Sequence, residues 1–185
     1  MERSSGAPDH LGVIPVKKVL YMRHLSKGSL VASRGLLGNL VVPLTERAIE
    51  IESPQIVKWL EDNGYNVQIT RIVTSPTVRA QHTGWLIAEA LGMPLPAVTT
   101  SWNAFGLTNE VIFQDVTAQD DDGGLTLFVG HYDGEIGGLT ACSPDAFEIG
   151  KTTGAICLFG FEAGRWADAQ LGTAEILDSF VPSKE

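Results

Sequence analysis

Histidine and arginine recur in this 185-residue sequence directly after short apolar runs. Val16 to Met22 leads into Arg23-His24, and Ile69 to Thr74 is followed by Ser75-Pro76-Thr77-Val78-Arg79-Ala80. Leu125 to Val129 ends in Gly130-His131. Two guanidinium groups and two imidazoles at strand ends make a set suited to a phosphoryl group. The planar arginine fork matches two phosphate oxygens at once. A helix beginning after Ser75 adds backbone N–H donors and the positive end of its dipole. One neutral imidazole can attack phosphorus while the second hydrogen-bonds the equatorial oxygens as charge spreads. Side chains then supply the positive charge, and the sequence lacks the tight carboxylate or His/Cys spacing of a metal site. Neither a metal nor another cofactor is therefore expected.

Four segments in a fixed order carry a resemblance. Tyr21-Met22-Arg23-His24 resembles the strand and Arg-His pair of the histidine phosphatase superfamily, which includes phosphoglycerate mutases and the SixA phosphohistidine phosphatases. Pro43-Leu44-Thr45-Glu46-Arg47 is similar to its Leu-Thr-x-x-Gly segment, and Ser75 to Thr83 to its Ser-Pro-x-x-Arg-Ala-x-x-Thr signature. Val129-Gly130-His131 matches the strand of the second histidine. The resemblance implies that His24 is the nucleophile and phospho-carrier. It further implies that Arg23, Arg79 and His131 hold the phosphoryl oxygens, with the backbone from Ser75 placing Arg79.

The departures are as informative. Leu25 stands where the superfamily usually has glycine and is expected to narrow or redirect the pocket entrance. Leu30 replaces a phosphate-contacting asparagine, for which Arg34 is a substitute. The general acid of the mutase and phosphomonoesterase branches falls near Asn103-Ala104, where no acid stands. Glu110 is the nearest candidate and Asp133 the second. An alkoxide leaving group needs a proton far more than an imidazole leaving a phosphoramidate does. The missing acid, and the short stretch between Arg79 and His131, therefore favour a SixA-like phosphatase. The alternatives are a small-metabolite phosphomonoesterase or mutase using Glu110, and a non-catalytic phosphate-binding protein.

These residues require a scaffold that brings strand ends together. The Val16, Ile69 and Leu125 runs read as buried strands, with shorter ones at Pro96 to Thr100, Gly154 to Phe161 and Arg165 to Ala169. The last two are paired as a hairpin through Glu162-Ala163-Gly164. Thr45 caps a helix carrying Ala48, Ile49, Ile56, Val57 and Leu60 on one face, with a kink or restart at Ser53-Pro54 and a stop at Gly64. Ser75-Pro76 reads as the cap and first turn of a helix over Thr77 to Leu91. Asn103 to Gln119 is part loop and part helix, and Ile136 to Cys142 is helical. Strands separated by helices predict a three-layer α/β/α sandwich with a mostly parallel central sheet, phosphoglycerate mutase-like if the resemblance holds. Its ligand site belongs at the carboxyl ends of the strands.

Composition bounds the partners. Residues 1–15 read as a flexible leader to a single domain over 16–185, with no signal peptide or membrane helix, so the expected location is cytoplasmic. Thirteen Lys+Arg against 22 Asp+Glu give a net charge of -9, which disfavours nucleic acid and anionic membranes. The partner expected is a phosphorylated small molecule or phosphoprotein, its phosphoryl group entering a small positive pocket in a negative exterior. Trp102 and Phe105 are candidates to line that entrance. His82 reads as a packing or surface residue.

Overall fold

A computed structural model describes residues 15–29, 39–105, 109–131 and 149–183. Strand β1 (Val16–Arg23) sets the plan, because its side chains alternate between two apolar faces. Leu20 and Met22 enter a core that also holds Ile72, Leu127, Val129, Ile56, Leu60 and Ile87. Val19 and Tyr21 enter the opposite core with Val73, Phe128, Phe159, Ile112 and Val116. Two cores back to back on one sheet require helices on both faces. Helices α1 (Ser53–Asp62) and α2 (Val78–Ala90) cover the first face, and α3 (Asn109–Thr117) the second.

The six strands are β1, β2 (Ile69–Thr74), β3 (Val98–Thr100), β4 (Leu125–Gly130), β5 (Ile156–Glu162) and β6 (Glu175–Phe180). Their order across the sheet is β3-β2-β4-β1-β5-β6. The first four run parallel, and β5 and β6 join antiparallel. The sheet is thus mixed and mostly parallel, as the sequence implied. Arg23 lies level with Gly130, and Thr74 with Val129, so β1, β2 and β4 finish along one line. That alignment turns three separate sequence motifs into one edge.

Several expectations are corrected in detail. Thr77, not Ser75, caps α2, accepting the Ala80 N–H, so the helix starts two residues later than the Ser-Pro signal suggested. Ser75 Oγ accepts the Thr77 N–H at 3.4 Å and also meets His131. Arg165 to Ala169 is not a strand: Trp166–Asp168 forms a single 3-10 turn, and the strand that follows β5 and pairs with it is β6. Trp166 is buried in the second core, which anchors the turn there. Strand β3 begins only at Val98, after a 3-10 turn over Leu95–Ala97. Ile49 faces solvent. The Ile136 to Cys142 helix lies outside the described residues.

The break at Pro54 takes a specific form. Thr45 caps the first turn, its hydroxyl accepting the Ala48 N–H at 3.2 Å. A π-helical turn follows over Ala48–Glu52, and α1 then opens with Pro54 in its first turn. Proline has no N–H and crowds the carbonyl one turn back, and the wider turn ahead of it absorbs both defects. Gly64 closes α1 at φ 69°, a conformation glycine adopts without penalty. Gly84 solves a different problem on α2. A Cβ there would stand 2.5 Å from Thr74 Cγ2 and 3.3 Å from Ile72 Cγ2, so its absence lets the helix lie directly on β2. Among the described residues, no helix is long and apolar enough to cross a membrane.

Candidate active site

Backbone hydrogen bonds carry the strand ends into the site. Arg23 N–H donates to Ala155 O at 2.9 Å, His24 N–H to Gly130 O at 3.0 Å and Ser75 N–H to Val129 O at 2.9 Å. The residues that follow three strands are thereby fixed relative to one another. Arg79 comes from the first turn of α2.

His24 is 2 % exposed. Its Nδ1 lies 2.7 Å from Leu25 O, and a carbonyl can only accept, so Nδ1 carries the proton. Nε2 is left with its lone pair, and Arg79 Nε–H donates to it at 3.1 Å. The pKa of His24 is lowered to about 3, chiefly by burial, with Arg79, Arg23 and Lys27 adding to the effect against the Leu25 hydrogen bond. His131 is lowered to about 3 as well, by burial first and then by His24 and the same cations. Both rings are therefore neutral at neutral pH, which is the form a nitrogen nucleophile needs.

Arg79 joins the two rings. It is 3 % exposed, and its Nη2 donates to His131 Nδ1 at 3.2 Å while Nη1 donates to Asn39 O at 2.6 Å. His131 Nδ1 is thus an acceptor, so Nε2 is protonated and donates to Ser75 Oγ at 2.8 Å. The imidazole centroids lie 5.2 Å apart, edge to face. None of the partners of Arg79 among the described residues is a carboxylate. A buried guanidinium with neutral acceptors keeps its positive potential, and burial with the nearby Arg23 lowers its pKa. Arg23 itself donates through Nη1 to the Lys151 carbonyl. The arrangement can bind a compact oxyanion and offer it a neutral imidazole nitrogen.

The structure thus brings His24, Arg23, Arg79, His131 and Ser75 to one place. Glu110 is exposed in the first turn of α3. Arg34, Leu30 and Asp133 lie outside the described residues. Phe105 packs edge-on against His131 at 5.7 Å, and Trp102, 64 % exposed, packs against Phe105 at 6.3 Å, so the two aromatics lead from the surface to the second imidazole. His82 is on the surface beside Trp85.

Leu25 corrects the expectation about the entrance. It is fully buried in the core under α1 and α2, so it faces away from the pocket. Its N–H donates to Thr83 Oγ1 at 3.1 Å, and Thr83 in turn donates to Arg79 O at 2.8 Å. Thr83 therefore ties the backbone after the first histidine to the helix of the arginine, a task its place in the signature did not reveal.

No family model matches the sequence, and no curated protein matches it. Solved structures do match. SixA in complex with tungstate is 21 % identical with a TM-score of 0.66, over 90 % of this chain and 97 % of that one. The structure assigned as SixA from Agrobacterium tumefaciens is 17 % identical with a TM-score of 0.68, over 89 % and 97 %. That from Nakamurella multipartitia is 21 % identical with a TM-score of 0.64, over 91 % and 97 %. The fold is that of the histidine phosphatases, an α/β/α sandwich of the phosphoglycerate mutase type.

Proposed function

We propose that this chain is a phosphatase working through a phosphohistidine on His24, with phosphohistidine of a protein as the SixA-like substrate. The observation that carries the reading is Arg79, a buried cation shared between two neutral imidazoles whose tautomers are fixed by their partners. In the first step the His24 Nε2 lone pair forms the N–P bond as the bond from phosphorus to the leaving nitrogen breaks. The electron pair departs with that nitrogen, which takes a proton from solvent. Arg23, Arg79 and His131 stabilise the charge on the phosphoryl oxygens, and Ser75 orients His131. In the second step water attacks phosphorus, loses its proton, and the N–P pair returns to Nε2, releasing inorganic phosphate. Tungstate, held by the SixA structure of the same fold, has the shape of the oxyanion this cluster would accept.

Burial of Leu25 removes the steric ground for a non-catalytic binder. An ester phosphatase or mutase remains a distinct reading, in which Glu110 protonates the alkoxide. Phe105 rests on His131, and Glu110, five residues further along the chain, is in the first turn of α3.

His24→Ala should abolish acid-labile ³²P labelling of the chain and lower turnover by at least ~10³. Labelling that persists in this variant would overturn the proposal. Glu110→Gln should leave phosphohistidine hydrolysis unchanged. A loss of about 10²-fold or more on an alkyl phosphate such as glycerol phosphate, whose alkoxide must be protonated to leave, would assign the ester reading instead.

A further inference from the structure

One buried carboxylate takes no part in the chemistry above. Ala48, Glu52, Ile56 and Leu60 recur every fourth residue and are all buried, with Glu52 at 3 % exposure. Glu52 closes the π-helical turn, and such turns are frequent at functional sites. Its Oε2 accepts the Ser26 backbone N–H at 2.8 Å. Its Oε1 accepts the Ser26 hydroxyl at 2.5 Å and the Arg47 Nε–H at 3.2 Å. The N–H of Ser26 and the carbonyl of Leu25 belong to one peptide group. That peptide donates to Glu52 on one side and accepts the His24 Nδ1 proton on the other.

We infer that Glu52 is a positioning residue that polarises the Leu25–Ser26 peptide and thereby strengthens His24 as a nucleophile. The inference rests on the phosphatase reading. An acceptor charge pulling on an amide N–H draws electron density toward its carbonyl oxygen, so successive hydrogen bonds reinforce one another. As Nε2 bonds to phosphorus the ring gains positive charge, while the Nδ1 proton stays in place. A more negative Leu25 oxygen stabilises that charge and fixes the ring's tautomer. Catalytic histidines more often hold their carboxylate directly. Here one peptide stands between them. Arg47, tied also to Ser183 O at 2.9 Å, partly offsets the carboxylate.

The test follows the His24 Nδ1–H resonance in the full chain labelled with ¹⁵N-histidine, beside single-turnover labelling with phosphohistidine substrate. Glu52→Gln keeps the size and an acceptor for Ser26 but removes the charge. It should move the Nδ1–H resonance upfield and slow phospho-His24 formation by about tenfold, with tungstate affinity held within about twofold. Arg47→Met, at a side chain 35 % exposed, should move the resonance the opposite way, and it carries the test if Glu52→Gln does not fold. An unmoved resonance in the folded variants overturns the proposal, as does a parallel loss of tungstate affinity and rate, the mark of a mere clamp. A wild-type chain that forms no phospho-His24 would instead overturn the phosphatase reading, and the resonance would still report on the peptide.

Discussion

At the amino end of β1, Lys17 reaches Asp121 at 2.6 Å with side chains 16 % and 44 % exposed. At the carboxyl end of the sheet, Arg79 is buried and meets imidazoles and a carbonyl. Both are cations near the ends of the same sheet, and their surroundings assign them opposite uses. The half-buried lysine finds a counter-charge, and water reaches and screens the pair from the exposed Asp121 side. Among the described residues the buried arginine has only neutral partners, so its field remains available to an incoming anion. The acidic run Asp120 to Asp122 precedes β4 and so lies at the end away from the site; there Asp121 also accepts the Trp166 N–H at 3.0 Å. The net charge of -9 therefore describes a surface. It does not describe the edge where the strands finish.

The strongest challenge to that comparison is Arg79→Met. Oxyanion affinity should vanish and turnover fall by ~10²–10³, because transition-state charge loses its main partner. The unfolding temperature should hold or rise, since a buried cation among neutral groups is costly. A marked drop in stability would show that Arg79 is structural and the comparison mistaken.

A second, smaller effect is a dependence of stability on pH. His24 and His131 are held near 3, against 6.5 for the free side chain. Between those values the unfolded chain binds more protons than the folded one. Stability is thus fully present above 6.5 and is lost as pH falls toward 3, by on the order of several kcal/mol. Thermal unfolding at pH 7 and pH 4.5 should show this loss. The His24→Asn, His131→Asn double variant should show a flatter profile, and an equal slope in both proteins would remove the histidines as its source.

The smallest effect belongs to the opposite end. Lys17→Met should leave turnover and unfolding temperature nearly unchanged. A change in turnover would mean that the field of the two ends is shared.

Where sequence alone reached the structure, a physical signal was strong. The runs ending at Arg23, Thr74 and Gly130 are apolar because both faces of β1, β2 and β4 are covered, and residues that follow such strands must share an edge. Strand β6 was hidden because its side chains are only partly buried, so Glu175 to Phe180 shows neither a run nor a clear alternation. Ser75-Pro76 misled by two residues, since Thr77 is also a good cap and Ser75 is engaged with His131. Leu25 looked like an obstruction because a sequence does not say which way a side chain points. Glu52 did leave a trace, a carboxylate within an apolar stripe of period four, but its partner Ser26 is far away in sequence.

Gly84 adds a consequence for variation in this protein. The helix that bears Arg79 rests on Thr74 with no room for a methyl group. Gly84→Ala would push that helix outward and carry the arginine with it, although position 84 touches no pocket residue through a side chain. In a population of related sequences such a change would read as a neutral helix substitution, indeed one favoured by propensity. Selection would feel it as a graded loss of activity, a dial set from beneath the site.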